Sequence, residues 1–171
     1  QTATQGGFAQ QNNAVQRNYV AATSLPSGTV NIGAAEAQGR FGKPKSVVSV
    51  TQTGSGNGAT VAQDGAAHAA GISQNGANNA GQITQSGVNN TGVIKQKGRN
   101  NGATLAQTGA NNAACVVQVG NNLSADVVQQ GNNQSLGVAQ TNRGAFAIKA
   151  SDCKYEPQVF AYWQRYGYKG N

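Results

Sequence analysis

Nine glutamines, at Gln52, Gln63, Gln74, Gln85, Gln96, Gln107, Gln118, Gln129 and Gln140, stand eleven residues apart. That period limits what the chain can fold into more than any other feature. Counted from each glutamine as position 0, position 2 is Gly54, Gly65, Gly76, Gly87, Gly98, Gly109, Gly120 and Gly131, with Asn142 in the ninth unit. Position 5 is Asn57, Asn79, Asn90, Asn101 and Asn112, interrupted by His68, Leu123, Gln134 and Ala145. Position 7 is small through Ala125. Position 9 is Val61, Ile72, Ile83, Ile94, Leu105, Val116, Val127 and Val138. Such columns are the mark of a repeat architecture.

Positions 5, 7, 9 and 11 alternate with polar or small residues, and period two is the strand pattern, because successive side chains point to opposite faces. Glycine accepts positive φ and lets the chain leave the strand. Each unit therefore reads as one strand of about five or six residues and one corner. Two units make a coil of 22 residues, and coils stacked at ~4.8 Å place residue i over residue i+22. The expected fold is all-β: a parallel, cross-β solenoid with two strands per coil and about four to five coils. Alanine and glycine let the sheets approach, and the aliphatic column supplies apolar burial. The inward glutamines and asparagines become acceptable in ladders, where each amide donates to one copy and accepts from the other. A disordered Gln/Asn-rich linker would not keep Val, Ile or Leu at every eleventh position.

The run Gln96-Lys97-Gly98-Arg99-Asn100-Asn101-Gly102-Ala103-Thr104-Leu105-Ala106-Gln107 closely resembles the curlin repeat, the unit of bacterial curli fibre subunits. With substitutions it recurs from Gln52 to Ala150. The resemblance implies an exported, amyloid-forming subunit of a biofilm or adhesion structure. It also implies partners among curli-type outer-membrane export and nucleation proteins, and an N-terminal segment that directs export. Two departures, a longer N-terminal region and a cysteine-containing aromatic tail, leave open a main fibre subunit, a nucleator or a holdfast-type surface anchor.

Three regions follow: an arm over 1–40, a solenoid over 41–150 and an aromatic flap over 151–171. The arm has no sustained period, and Pro26 with Gly28 marks a turn. It reads as flexible, with Thr29–Ile32 as a short strand for a neighbour's edge or as part of a disordered arm. Lys43-Pro44-Lys45 separates it from Val48 and Val50, which suit positions 7 and 9 of a degenerate first unit. The absence of methionine and the start at Gln1 are what a cleaved secretory signal would leave. Charged residues make up 10% of the chain, against about 25% in a typical soluble domain.

Several residues carry competing readings. His68, the single histidine, reads as a substituted ladder position rather than a metal ligand or catalyst. Lys95, Lys97 and Arg99 form a basic cluster that could meet polysaccharide, nucleic acid or anionic lipid, or simply be a solvated corner; no specific nucleic-acid site is expected. Cys115 lies between inward Ala114 and Val116, so it should point outward. In an exported chain its expected partner is Cys153, the other cysteine; free or intermolecular thiols are the alternative. Tyr155, Phe160, Tyr162, Trp163, Tyr166 and Tyr168 crowd the tail. Their alternation suits strand or edge pairing. They read as a flap over the solenoid, with Tyr162, Trp163 and Tyr166 as candidate contacts to sugars or to a neighbouring subunit.

Five carboxylates, one histidine and no phosphate-cradling loop argue against an enzyme and imply no cofactor. Two functional readings remain. One is a homopolymer joined through its solenoid ends into extracellular fibres. The other is a short binding module or anchor that attaches polysaccharide or fibre to the cell surface.

Overall fold

The computed structural model describes strands at residues 8–12, 17–23 and 29–37 and the continuous stretch 46–167. The separator Lys43–Lys45, the turn at Pro26 and Gly28, and Tyr168 lie outside the described residues. Thirteen strands are described, β1 (Phe8–Asn12), β2 (Arg17–Thr23), β3 (Thr29–Ala37), β4 (Ser46–Ser55), β5 (Gly58–Ala66), β6 (Ala69–Ala77), β7 (Ala80–Val88), β8 (Thr91–Arg99), β9 (Gly102–Ala110), β10 (Ala113–Asn121), β11 (Ser124–Gln130), β12 (Ser135–Thr141) and β13 (Gly144–Ile148). A 3-10 turn at Ala150–Lys154 and helix α1 at Pro157–Tyr166 follow.

Strands β4 to β12 alternate between two parallel sheets. The first sheet runs β1-β2-β5-β7-β9-β11 and the second β13-β12-β10-β8-β6-β4-β3. Each repeat strand pairs with the one 22 residues on, glutamine beside glutamine and glycine beside glycine, as Gln74↔Gln96 and Gly76↔Gly98 show. The chain is a β-solenoid of two strands per coil.

The strands are longer than the pattern suggested: β5 to β10 each span nine residues. The ladder continues past the glutamine and around the glycine bend, leaving only two residues for each corner. Two residue types make that corner. The position-2 glycines have φ between +110° and +145°, and a Cβ on Gly76 would lie 1.9 Å from the carbonyl oxygen of Gly98 one coil on. Only glycine satisfies both demands. Position 4 holds the left-handed residues Asn78, Asn89, Asn100, Asn111, Asn122 and Asn133, with φ of 56–59°. Asparagine tolerates this conformation better than other residues with a Cβ. This column was not foreseen; its signal was the recurring Asn-Asn pair.

Inside, Val48, Val50, Val61, Ile72, Ile83, Ile94, Leu105, Val116 and Val127 form one apolar cluster with Ala59, Ala70, Ala103 and Ala114. Val138 packs against its end, partly buried. The aliphatic column is buried because the sheets are close: a Cβ on Gly92 would come within 2.8 Å of Leu105 Cδ2.

Both ends depart from the repeat. After Gln140 the chain does not continue as a parallel strand. It reverses, and β13 pairs antiparallel with β12, a correction to the expected ninth parallel strand. Asn142 occupies the position that elsewhere needs a glycine, so the corner cannot form, and Gly144 (φ +131°) follows the reversal instead. At the other end β3 lies antiparallel on β4, β2 antiparallel on β5 and β1 antiparallel on β2. The Thr29–Ile32 segment thus belongs to a strand on its own chain's edge rather than a neighbour's.

Candidate functional site

The solenoid interior carries two glutamine columns. In the second sheet Gln52, Gln74, Gln96, Gln118 and Gln140 are linked Nε2 to Oε1 over 2.7, 2.8, 2.8 and 2.9 Å. In the first, Gln63, Gln85, Gln107 and Gln129 are linked over 2.9, 2.8 and 2.8 Å. From Gln63 to Gln140 each amide also donates to a carbonyl of the opposite sheet, as Gln96 Nε2 does to Ala80 O at 2.9 Å. The glutamines therefore tie coil to coil and sheet to sheet. All except Gln140 are nearly inaccessible, and the hydrogen bonds offset what burial of an amide would cost. Both columns have one sense: each glutamine donates toward the C-terminal coil.

The asparagine columns line the corners. Asn79 Nδ2 donates to Asn57 Oδ1 at 3.1 Å and to Gly98 O at 3.0 Å. Asn57 Oδ1 also accepts the Asn79 backbone N–H. Asn90, Asn101 and Asn112 hold the carbonyls of Gly109, Gly120 and Gly131 in the same way. Where Leu123 and Gln134 replace asparagine, their backbone N–H groups still donate to Asn101 and Asn112.

His68 sits in this column. Its Nδ1 accepts the Asn90 N–H at 3.3 Å and its Nε2 lies 3.0 Å from Asp64 O. This assigns the neutral ring with its proton on Nε2. Burial lowers the His68 pKa below the usual 6.5, against the smaller opposing pull of the Asp64 and Gly87 carbonyls and the Asp64 charge. Among the described residues no cluster of His, Cys, Asp or Glu could hold a metal.

Cys115 points outward and is bonded to Cys153, with Cα atoms 5.9 Å apart. The disulfide belongs to a second apolar cluster of Cys115, Val117, Ala139, Ile148 and Phe160, edged by Val93, Phe146 and Trp163. The flap lies on the outer face of the second sheet and covers this patch.

The tail's aromatic segment is a helix, not the strand its alternation suggested. Pro157 opens α1, and Gly167 at positive φ ends it. Phe160 and Trp163 form the inward face, and Trp163 stacks edge-on against Phe160 and Tyr155 at 5.3 and 5.4 Å. Tyr162 and Tyr166, four residues apart, pair at 4.7 Å on the exposed face. Helical spacing accounts for these contacts where period two could not.

The basic cluster is divided. Lys95 Nζ donates to Tyr155 O at 3.1 Å and Lys97 Nζ to Gln158 Oε1 at 3.3 Å, so both clamp the flap from the outer face of β8. Arg99 stays exposed at the strand's end, its backbone N–H donating to Asn121 Oδ1. The three do not form one corner patch.

The repeat edges differ in their cover. Strand β3 covers β4, β2 covers β5 and β13 covers β12, while no described strand pairs with the outer edge of β11. The first sheet's ladder reaches that edge at Gln129, 3% exposed.

Family comparison agrees with this geometry. The curlin associated repeat matches twice, over residues 76–109 and 109–141. The chain carries the curlin associated repeat. The coils built on that repeat extend from β4 to β12, beyond the matched residues on the N-terminal side. No curated protein and no solved structure matches the chain. No described helix is long and apolar enough to cross a membrane. Repeat and fold are those of a structural protein.

Proposed function

We propose that the protein is a secreted structural subunit whose copies join by their coil ends into extracellular, curli-type cross-β fibres, serving biofilm matrix, cell aggregation and surface adhesion. The supporting observation is the state of the C-terminal coil. Backbone ladder and glutamine column arrive together at an uncovered strand, β11, and such an edge is a template for another chain. Export and nucleation by curli-type outer-membrane proteins belong to the same proposal, as does a bacterial cell-surface or fibre location. Fibre diffraction and electron microscopy on purified chain after denaturant removal test it. Unbranched fibres with a ~4.8 Å meridional repeat are expected; a chain that stays monomeric at high concentration would refute it.

A second reading has its own support. Antiparallel strands close both N-terminal repeat edges, as in solenoids that limit their own growth. This favours a nucleator or anchor at a fibre end, with polysaccharide at the exposed Tyr162–Tyr166 face. A chain that forms no fibres alone but seeds the fibres of a second curlin-repeat protein would select that reading.

A further inference from the structure

The two sheets end unevenly. Strands β10 and β11 make the last complete coil; the second sheet continues through β12 and β13, while the first stops at β11. The inner face of β12–β13 therefore projects two strand layers beyond anything described opposite it. Register puts Val138 beside Ala147 and Gln140 beside Ala145 on that face. Ala145 and Ala147 are exposed there, Val138 is only partly buried, and Leu136 is 39% exposed. These are core positions of the repeat with no core around them.

The notch also has a free backbone edge. Gly131 N–H donates to Thr108 O in β9, and in a parallel ladder alternate residues face opposite ways. Asp126, Val128 and Gln130 therefore turn their N–H and C=O groups away from β9, into the notch. Val128 is 58% exposed.

The N-terminal end does not fit this notch. There β2 and β1 extend two layers beyond β5, and β3 extends one layer beyond β4, a step of one strand against two. Placing β3 of the next copy on β13 would leave one strand missing between β11 and the next β1. A two-fold axis along the strands closes the step instead. It reverses the stack and exchanges the sheets, so each copy's two-strand overhang fills the other's two-strand notch. Because β13 runs against β12, and β12 runs opposite to β11, β13 of the second copy meets β11 in the parallel sense used throughout the solenoid. The larger Val138 then faces the small Ala145 and Ala147 of the other chain.

We infer that the C-terminal end joins a second copy of this chain tail to tail, β13 of each copy pairing with β11 of the other. The inference rests on the reading that copies join by their coil ends, and adds which ends meet. The test is sedimentation of the full chain carrying a folded domain fused to its N-terminus, which obstructs that end. A dimer is expected. Val128→Pro removes an edge N–H not used inside the chain, and Ala147→Glu places a carboxylate in the notch. Each should weaken the dimer at least tenfold while leaving the circular dichroism of the strands intact. A monomeric fused chain, growth beyond the dimer, or a dimer indifferent to both substitutions would overturn the junction. Fibres from the unfused chain beside a monomeric fused chain would overturn the junction alone and leave the fibre proposal standing.

Discussion

Replacing Gln96 by glutamate changes one atom in the middle of a ladder and reverses its hydrogen-bonding sense. Gln96 Nε2 donates to Gln118 Oε1 at 2.8 Å and to Ala80 O at 2.9 Å, and Gln96 accepts from Gln74 Nε2 at 2.8 Å. The glutamate carboxylate keeps the acceptor role and loses both donations. It then sets an oxygen against two acceptors at a site 1% exposed. Each buried group left without its partner costs about 1–3 kcal/mol, so two orphaned acceptors amount to roughly 2–6 kcal/mol before desolvation of the charge. That is a large share of the ~5–15 kcal/mol that holds a typical domain together. Burial raises the pKa of the new carboxyl above its ordinary ~4.3. The folded state then keeps its proton to higher pH than the unfolded state, so the deficit grows as pH rises from ~4.3 through the folded value. Below ~4 the protonated acid donates one hydrogen bond and part of the loss is recovered. Denaturant unfolding followed by circular dichroism at pH 4 and pH 7, each referred to wild type, measures this. We expect a clear loss at pH 7, a smaller one at pH 4, and slowed fibre growth at neutral pH. A wild-type midpoint at pH 7, or a deficit that ignores pH, would refute the inward, donor-polarised ladder.

Further predictions concern the corner, the histidine and the flap. Gly98→Ala should cost more than ~3 kcal/mol, combining a strained φ with a Cβ placed 1.8 Å from Gly120 O; Gly58→Ala, with nothing within 4 Å, should be near neutral, and equal denaturation midpoints for the two would contradict the corner geometry. The His68 pKa is lowered by burial, so its contribution is complete above 6.5 and is lost as pH falls from 6.5 toward the folded value. His68→Asn should flatten that part of the stability–pH curve. Cys115→Ala with Cys153→Ala removes a bridge spanning 38 residues, worth about 3–4 kcal/mol by chain entropy. Limited proteolysis should then cut within 150–167 while the coils survive; an unchanged pattern would mean that the apolar cluster and the Lys95 and Lys97 contacts hold the flap unaided.

The ladders and core were legible because their pattern repeats. The glutamine and aliphatic columns recur in nine and eight units and the asparagine column in five, and an in-register stack maps a sequence column directly onto a spatial one. The Asn-Asn corner was written with the same regularity but needed φ to separate the inward asparagine from the left-handed one. The tail offered no such redundancy. Phe160, Tyr162, Tyr166 and Tyr168 fit period two, and only the apolar surface around Cys115 and Ala139 selects the helical face that presents Phe160 and Trp163.

The sequence by itself determined the coil: its length, its two-strand cross-section, which side chains enter it and the outward cysteine. These follow from local periodicity, because identical neighbours at 22-residue spacing satisfy one another's backbone and amide groups. Only the tertiary structure decided how the coil is bounded. The reversal after Gln140, the antiparallel cover on β4 and β5, the clamp from Lys95 to Tyr155 and the uncovered edge of β11 join single-copy segments far apart in the chain. A contact made once has no period to announce it, and whether it forms depends on which surface the finished stack leaves exposed.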